Sequence, residues 1–328
     1  MIVVAALSIV PACTSGATST ESSTPVTSPS PAASPTEGEV PIDTDSLEGR
    51  IVFSDETNDI WSMRADGSHV RRLTRAPAQQ FDPTWSPDGA RVAYRHQTGD
   101  DETTEIFVMD ADGSHQTNLT RNAVADRGPD WSPDGETIAF NSAMQTEGFG
   151  LLGYVVAPDG TELRRISHHF VEYPAWSLDG SRIAFMAQEP DASGSNPDYN
   201  IFVMNADGTD VTRLTGAPGE DGWPTWSPDG SQIVFSSARD DCSISQSADC
   251  PSTVYIGPWE DAWIVNADGS DQHRLTDGFA QFFAWSPDGE AILVAGAGDM
   301  YLIRPDGTGT TPLKVQGAAH PLFPDWIA

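Results

Sequence analysis

One five-residue segment, Trp-Ser-Pro-Asp-Gly, recurs along the chain and constrains its fold more than any other feature. It begins at Trp85, Trp131, Trp226 and Trp285, and a form with Leu in place of Pro begins at Trp176. Pro presets the backbone of a turn, Asp can bond to backbone groups ahead of it, and Gly accepts the positive φ that precedes the next strand. The segment therefore predicts a hairpin turn that follows a strand ending in Trp.

A second turn, Ala-Asp-Gly or Pro-Asp-Gly, alternates with the first. It occurs six times, with its Asp at Asp66, Asp112, Asp159, Asp207, Asp268 and Asp306. Apolar segments typical of strands flank each turn, so each unit contains four strands. The units repeat every 40 to 60 residues, roughly, and repeats of this length with several short strands predict propeller blades rather than helical solenoids.

The two ends of the repeat region predict how the ring closes. The first unit begins at its second strand, residues 50–53, and the C-terminus supplies a lone Pro-x-Trp strand that contains Trp326. We therefore predict an all-β fold for residues 49–328, a six-bladed β-propeller of four-stranded blades. In this ring the C-terminal strand completes the first blade, which leaves no long apolar edge exposed.

The first 48 residues have a different character. Residues 1–13 form an apolar run that ends in Ala12-Cys13 and is similar to a secretory signal peptide with a bacterial lipobox, in which the Cys is lipidated. Residues 14–48 are rich in Ser, Thr, Pro and Ala and contain no basic residue, which predicts a disordered linker. Together they predict a lipoprotein of the periplasm or cell envelope whose membrane contact is the lipid on Cys13. The alternative is a disordered tail with an incidental Cys.

The net charge of the chain argues against one class of partner. The chain has 48 acidic and 17 basic residues and a net charge of −31, which argues against a nucleic-acid partner because phosphate binding needs clustered Lys and Arg.

Beyond Cys13, two cysteines remain, Cys242 and Cys250, eight residues apart. In an exported protein such a pair predicts a disulfide. Metal binding by the pair is the alternative.

The two turn motifs resemble the WD-repeat-like units of the TolB-type β-propellers. The resemblance covers about residues 49–328 and implies a six-bladed propeller. The namesake of that family is a soluble periplasmic protein whose propeller binds a peptidoglycan-associated lipoprotein, so the resemblance implies a protein or peptidoglycan-associated partner. Here a linker stands where the namesake has an α/β domain. Related propellers also serve as parts of peptidases and as sugar-acid lyases, so the fold does not define the function.

Candidate binding residues lie where the chain enters each innermost strand, on the face opposite the short turns. This face also carries long loops at residues 97–105, 142–150, 188–200 and 236–261, and variable loops on a rigid scaffold are where binding usually resides. An aromatic and charged rim around the channel mouth suits a peptide or a sugar. The alternative is that its aromatic side chains pack between blades. The candidates are Asp82, Asp126, Arg127, Glu172, Tyr173, Asp221, Trp223, Phe282, His320 and Phe323.

Two functions remain open at this point. The first is a membrane-anchored scaffold that binds a protein or cell-envelope partner, catalyses nothing and needs no cofactor. The rival is a lyase or lactonase that acts on a sugar acid or lactone through a divalent metal near Glu172 or His320. The Asp-rich second turns resemble the start of a calcium loop but lack its closing Glu, and hairpin turns explain them without an ion.

Overall fold

The computed structural model describes residues 40–75, 78–97, 103–144, 150–188, 198–217, 219–239, 261–278, 280–296, 298–315, 317–318 and 320–328. A short 3₁₀ helix, Thr44–Ser46, precedes the first strand. In chain order the strands are β1 (Arg50–Ser54), β2 (Ile60–Arg64), β3 (Arg71–Arg72), β4 (Gln79–Trp85), β5 (Arg91–Gln97), β6 (Thr104–Asp110), β7 (Thr117–Asn118), β8 (Asp126–Trp131), β9 (Ile138–Ser142), β10 (Leu152–Val156), β11 (Arg164–Phe170), β12 (Glu172–Trp176), β13 (Arg182–Ala187), β14 (Asn200–Asn205), β15 (Thr212–Arg213), β16 (Asp221–Trp226), β17 (Gln232–Ser237), β18 (Asp261–Asn266), β19 (His273–Arg274), β20 (Phe282–Trp285), β21 (Ile292–Gly296), β22 (Asp299–Ile303), β23 (Thr311–Leu313) and β24 (Leu322–Ile327).

These strands form six antiparallel four-stranded sheets, the blades of a propeller. From the innermost strand outward, blade 1 has the order β24-β1-β2-β3, and blades 2 to 6 begin with β4, β8, β12, β16 and β20 and continue in chain order. The predicted all-β, six-bladed fold is confirmed. The Trp-Ser-Pro-Asp-Gly and Asp-Gly turns lie at one face, and the other connections lie at the opposite face, called here the long-loop face.

The turn motif holds itself together through its Ser and Asp side chains. In blade 2 the Ser86 hydroxyl accepts the Arg91 backbone N–H (2.9 Å) and donates to the Asp88 carboxylate (2.6 Å). Asp88 also accepts the Ala90 N–H (3.0 Å), and the Ser86 bond above all holds the pKa of Asp88 below its usual value. Gly89 has φ +63°, the left-handed conformation that the sequence analysis assigned to it. The Asp side chain of this motif therefore forms its hydrogen bonds within the turn.

The core lies between the blades rather than within them. Each of six apolar clusters joins two neighbouring blades, and the motif Trp is the plate at most of these contacts. Trp85 of blade 2, for example, packs with Val52 of blade 1, and the Arg50 guanidinium lies 4.5 Å from the Trp85 ring centroid. The same cation–π stacking recurs between blades for Arg91 on Trp131 (4.9 Å) and Arg182 on Trp226 (4.6 Å).

The ring closes as predicted. Strand β24 pairs antiparallel with β1, with Ile51 opposite Trp326 and Arg50 opposite Ile327. The Trp326 side chain is only 6% exposed, lies in the cluster between blades 6 and 1, and donates its Nε1–H to the carbonyl of Glu48 (3.0 Å).

The segment 40–48, predicted to be the end of the disordered linker, contacts the propeller instead. The Ile42 backbone N–H donates to the Thr311 hydroxyl (2.8 Å), and Ile42 and Leu47 pack against the cluster between blades 6 and 1. The predicted linker, residues 14–48, therefore ends in a segment that lies against the propeller through Ile42 and Leu47. Within the described residues, no helix has the length and apolarity to cross a membrane.

Candidate functional site, the channel mouth

A β-bulge in the innermost strands builds the mouth of the central channel. In five blades the residue three positions before the motif Trp has φ between +48° and +56°, precedes a Pro and sits at a shift in strand register. A bulge bends its strand and redirects a side chain. The five residues are Asp82, Gly128, Tyr173, Trp223 and Phe323.

Blade 6 lacks this bulge, for a reason visible in the sequence. Phe283 stands where the other blades have Pro, and β20 pairs with β21 in unbroken register. Phe282, the residue equivalent to the five above, consequently keeps ordinary strand backbone. All six positions nevertheless line one central cavity of about 550 Å³.

Four aromatic side chains occupy one side of the mouth and contact each other in sequence around it. The ring centroids of Tyr173 and Trp223 are 5.8 Å apart, and those of Trp223 and Phe282 are 5.4 Å apart. Phe282 and Phe323 follow at 3.9 Å. The sequence analysis left open whether these rings form a rim around the mouth or pack between blades. In the structure they do both, because they pack across blade boundaries and also line the cavity.

The other side of the mouth is ionic. Asp82 is buried and pairs with Arg95 (3.2 Å, Nε to Oδ2). Burial raises the pKa of Asp82, and the positive charges of Arg95 and Arg127 oppose this rise. Burial, assisted by the negative charge of Asp82, raises the pKa of the neighbouring Tyr173 to about 12, so this phenol remains a hydrogen-bond donor at neutral pH. The mouth therefore has an aromatic half and an ion-paired half.

Deeper in the channel lie two carboxylates that the sequence analysis did not single out. Asp325 of blade 1 accepts the Trp85 N–H of blade 2 (2.6 Å), and Asp130 of blade 3 accepts the Trp176 N–H of blade 4 (2.6 Å). The Thr84 hydroxyl lies between them, 3.2 Å from Asp325 Oδ2 and 3.4 Å from Asp130 Oδ1. Each carboxylate thus ties the innermost strands of two neighbouring blades together.

The electrostatics of this pair are unusual. Burial raises the pKa of Asp130 to about 8, with a contribution from the charge of Asp325, and burial raises the pKa of Asp325 as well.

One signal in the sequence could have revealed Asp130 and Asp325. At the position directly before the motif Trp, only these two residues carry a charge; the others are Thr84, Ala175, Thr225 and Ala284.

Two predicted binding residues, Asp126 and Asp221, are not accessible to a partner. Both are 0% exposed. Asp126 accepts a hydrogen bond from the Ser142 hydroxyl, and Asp221 accepts one from the Ser237 hydroxyl and pairs with Arg239 (2.8 Å). A charge this deeply buried needs such partners. These two carboxylates therefore fix the entry of β8 and β16, and we leave them out of the site defined here.

The remaining predicted residues lie around the mouth or farther along its rim. Arg127 is half-buried, and Glu172 accepts the Tyr199 hydroxyl (2.8 Å). His320 is exposed and lies 3.6 Å from the Glu56 carboxylate. Among the described residues, no three His, Cys, Asp or Glu side chains form a group that could hold a metal ion. Cys13, Cys242 and Cys250, and the middle of each long loop, lie outside the described residues.

Comparison with known proteins agrees with this architecture. The sequence profile of the tricorn protease N-terminal β-propeller domain matches residues 44–166. The crystal structure of TolB from Acinetobacter baumannii is 18% identical with a TM-score of 0.63, and the match covers 85% of this chain and 66% of that one, just under two thirds. A putative TolB from Agrobacterium tumefaciens is 19% identical with a TM-score of 0.59, over 86% of this chain and 99% of that one. A search of curated proteins gave no match.

The fold and the ring closure define the class, a six-bladed β-propeller. Within that class the chain has the TolB-type fold, as the sequence motifs predicted. Another similar structure carries a different name, the Kuenenia stuttgartiensis hydrazine synthase, which is 16% identical with a TM-score of 0.65 over 87% of this chain and 48% of that one. The fold is therefore shared among proteins of different function.

Proposed function

We propose that this chain is an extracytoplasmic, membrane-anchored propeller scaffold that binds a protein or cell-envelope partner through its long-loop face. The observation that carries the proposal is the two-sided mouth over a cavity of about 550 Å³. A cavity of this size falls within the range of about 300–1,000 Å³ typical of ligand sites. It can receive a side chain or a short loop of a partner.

The backbone at the mouth supports a binding role. Tyr173, Trp223 and Phe323 are bulky residues held at φ near +50°. Sparsely populated backbone conformations of this kind cost on the order of 1–3 kcal/mol each and cluster at functional sites. The bulge turns these rings toward the channel, where they offer apolar faces to a ligand.

The two halves of the mouth suit a peptide segment. The aromatic half buries apolar area and can stack on apolar or cationic side chains. The half-buried Arg127 and the Tyr173 hydroxyl supply hydrogen-bond donors. Aromatic residues and Arg are the side chains most enriched at the energetic centres of protein interfaces.

A photo-crosslinking amino acid placed at the mouth and on the opposite face tests this proposal. Benzoylphenylalanine in place of Phe323 reports on the mouth, and the same residue in place of Glu136, which is exposed in a turn at the other face and does not line the cavity, is the matched control. After illumination of whole cells, we expect one adduct of defined mass from position 323 and none from 136. Adducts from 136 alone, or identical adducts from both positions, would contradict the assignment of the binding face.

The lipid anchor is a separate part of the proposal. The apolar run before Cys13, the small residue Ala12 and the polar linker that follows support it. Labelling of cells with a fatty-acid analogue is expected to mark the wild-type protein and to spare Cys13→Ser. Equal labelling of both proteins would rule out an anchor at this Cys.

A disulfide between Cys242 and Cys250 is proposed to stabilise the longest loop of the long-loop face. Closing so short a loop stabilises by about 2–3 kcal/mol in the chain-entropy model. We expect mass spectrometry of the exported protein to find the two Cys-containing peptides joined, and joined only until reduction. Two free thiols in that material would refute the pairing.

A further inference from the structure

Two carboxylates inside the channel lack a cationic partner. Asp130 and Asp325 both line the central cavity and are half-buried. Among the described residues, no Arg, Lys or His side chain forms an ion pair with either of them. Charged groups held away from bulk water are ordinarily paired. The channel therefore carries negative charge that no described side chain compensates.

The hydroxyl between the two carboxylates satisfies neither of them well. Thr84 Oγ1 lies 3.2 Å from Asp325 Oδ2 and 3.4 Å from Asp130 Oδ1, and both distances exceed the range of about 2.5–3.0 Å for an ordinary O–H···O bond. A hydroxyl has one proton, so it donates to one carboxylate at a time, whereas each carboxylate can accept about four hydrogen bonds. Three oxygens from blades 1, 2 and 3 thus converge with acceptor capacity to spare.

The motif Trp side chains around this half of the channel also lack partners. In blades 5 and 6 the indole N–H donates to a backbone carbonyl of the preceding blade, as Trp226 does to Ala175 (3.1 Å). In blades 1, 2 and 3 the equivalent carbonyl belongs to Asp325, Thr84 or Asp130, and the indoles of the blades that follow have no hydrogen-bond partner. These indoles are Trp85, Trp131 and Trp176, of which the first two are only 3% and 4% exposed. A buried donor without an acceptor costs free energy, and all three line the cavity beside the carboxylates.

We propose that this part of the channel binds a primary ammonium group, supplied by a Lys side chain or a free amino terminus of the partner. The three N–H donors of an ammonium match three acceptor oxygens, those of Asp130, Thr84 and Asp325. Its positive charge compensates the two carboxylates. Such a site depends on the proposed function, because the group enters through the mouth.

The path from the mouth to the carboxylates suits a cation. Phe323 and Gly128 lie at the mouth and precede Asp325 and Asp130 by two residues, so the carboxylates lie about 7 Å deeper at the usual rise per strand residue. A Lys side chain or the free end of a chain can enter to this depth. Four aromatic rings line one side of the entry, and the faces of aromatic rings attract cations.

An ammonium suits these oxygens better than a metal ion or a guanidinium does. Calcium takes about six to eight oxygen ligands. Here three side-chain oxygens converge, and the described part of the chain contains no group of three His, Cys, Asp or Glu that could hold a metal ion. The planar guanidinium of Arg presents a fork of donors that matches a single carboxylate, whereas these acceptors belong to three separate side chains.

Isothermal titration calorimetry on the full chain with two short peptides tests the proposal. Gly-Gly-Lys-Gly-Gly blocked at both ends offers only a Lys ammonium, and pentaglycine amide with a free amino terminus offers only an α-ammonium. Their neutral counterparts carry norleucine in place of Lys and an acetyl group on the amino terminus. We expect at least one ammonium peptide to bind, and its neutral counterpart to bind at least tenfold more weakly. No binding of either ammonium peptide at millimolar concentration, or equal binding of the neutral counterparts, overturns the proposal.

The double variant Asp130→Asn with Asp325→Asn should weaken the ammonium peptide at least tenfold. Asn keeps an oxygen that accepts the backbone N–H of the next blade and removes the charge. The matched control is Glu136→Gln with Glu290→Gln, which removes two exposed charges from turns at the other face and should leave binding unchanged. Each single Asn variant, expected to weaken binding at least threefold, replaces the double variant if circular dichroism shows that the latter does not fold.

Three results with these variants would refute the site. Unchanged binding in the Asn variants would show that the carboxylates do not hold the ammonium, and equal losses in the control would reduce the effect to net charge. Calcium binding that the Asn variants abolish, without binding of either peptide, would identify a metal site instead.

The crosslinking experiment at position 323 separates the ammonium site from the proposed function. A defined adduct from position 323 in cells, without binding of either peptide, leaves the scaffold role in place and refutes the ammonium site. Binding of an ammonium peptide that the Asn variants lose, without any adduct in cells, supports the site and contradicts the proposed partner.

Discussion

Replacement of Trp326 by Ala is expected to destabilise the whole propeller, although the residue lies two positions from the end of the chain. Terminal residues are usually frayed and tolerant of substitution. Trp326 is instead 6% exposed, packs in the cluster between blades 6 and 1, and pairs with Ile51 across the junction that closes the ring. The perturbation therefore removes a core residue rather than a terminal one.

The expected loss is about 3–5 kcal/mol, the range for replacing a buried Phe or Trp by Ala. The upper part of this range applies because the ring also donates its Nε1–H to the Glu48 carbonyl (3.0 Å), and that carbonyl would lose its partner. A loss of this size should lower the melting temperature by several degrees even in a domain of this length. Removal of residues 321–328 should cause more damage, because it leaves β1 as a bare edge that is prone to aggregation.

Thermal unfolding followed by circular dichroism measures both changes. Deletion of Ala328 alone is the matched control, because this exposed residue follows the end of β24. The deletion should leave the melting temperature unchanged. If Trp326→Ala melted within about a degree of wild type, closure of the ring through β24 would not be what holds the fold, and the reasoning would fail.

Two further predictions follow from the inner strands and the outer turns. Because burial raises the pKa of Asp130 to about 8, the folded protein holds a proton that the unfolded chain releases between the ordinary carboxyl pKa and about 8, and stability should fall as pH rises through this window. Asp130→Asn should therefore raise the melting temperature more at pH 8 than at pH 5; an equal shift at both would refute the assignment. Gly208→Ala should cost more than the 1–2 kcal/mol or so of a left-handed backbone, because the new methyl would collide with the Ile166 carbonyl. Gly230→Ala, which has a similar φ and open space, should show the backbone cost alone in urea unfolding, and equal losses would contradict the collision.

The blade number and the ring closure could be predicted from the sequence because both depend on local signals that repeat. Each Trp-Ser-Pro-Asp-Gly turn is stabilised within six residues, as the bonds among Ser86, Asp88 and Arg91 show. The first unit lacks its innermost strand, and the C-terminus supplies one extra strand of the same kind. Pairing the extra strand with the first unit completes blade 1 and closes the ring. The ordering of residues 40–48 was not predictable in this way, because it depends on a contact between Ile42 and Thr311, far apart in the chain.

The site was harder to predict because it, too, depends on contacts between residues far apart in the chain. The bulge could have been inferred, since Pro follows the left-handed residue in five blades and Phe283 replaces it in the sixth. Asp130 and Asp325 escaped notice because each looks like an isolated polar residue in its own strand. Only the closed ring brings Thr84 between them.

The mouth shows how a repeating scaffold acquires a site that does not repeat. The Pro bulge fixes the backbone at equivalent positions, but the side chain there is Asp in blade 2, Gly in blade 3 and aromatic in blades 4, 5 and 1. The backbone geometry is therefore set by the residue after the variable one, and the chemistry by the variable residue itself. Substitution at this position can change the chemistry of the mouth while the bulge, the motif Trp and the blade contacts stay in place. Propellers with the same fold can in this way present different mouths, so the proposed binding role rests on Tyr173, Trp223 and their neighbours and not on the blades.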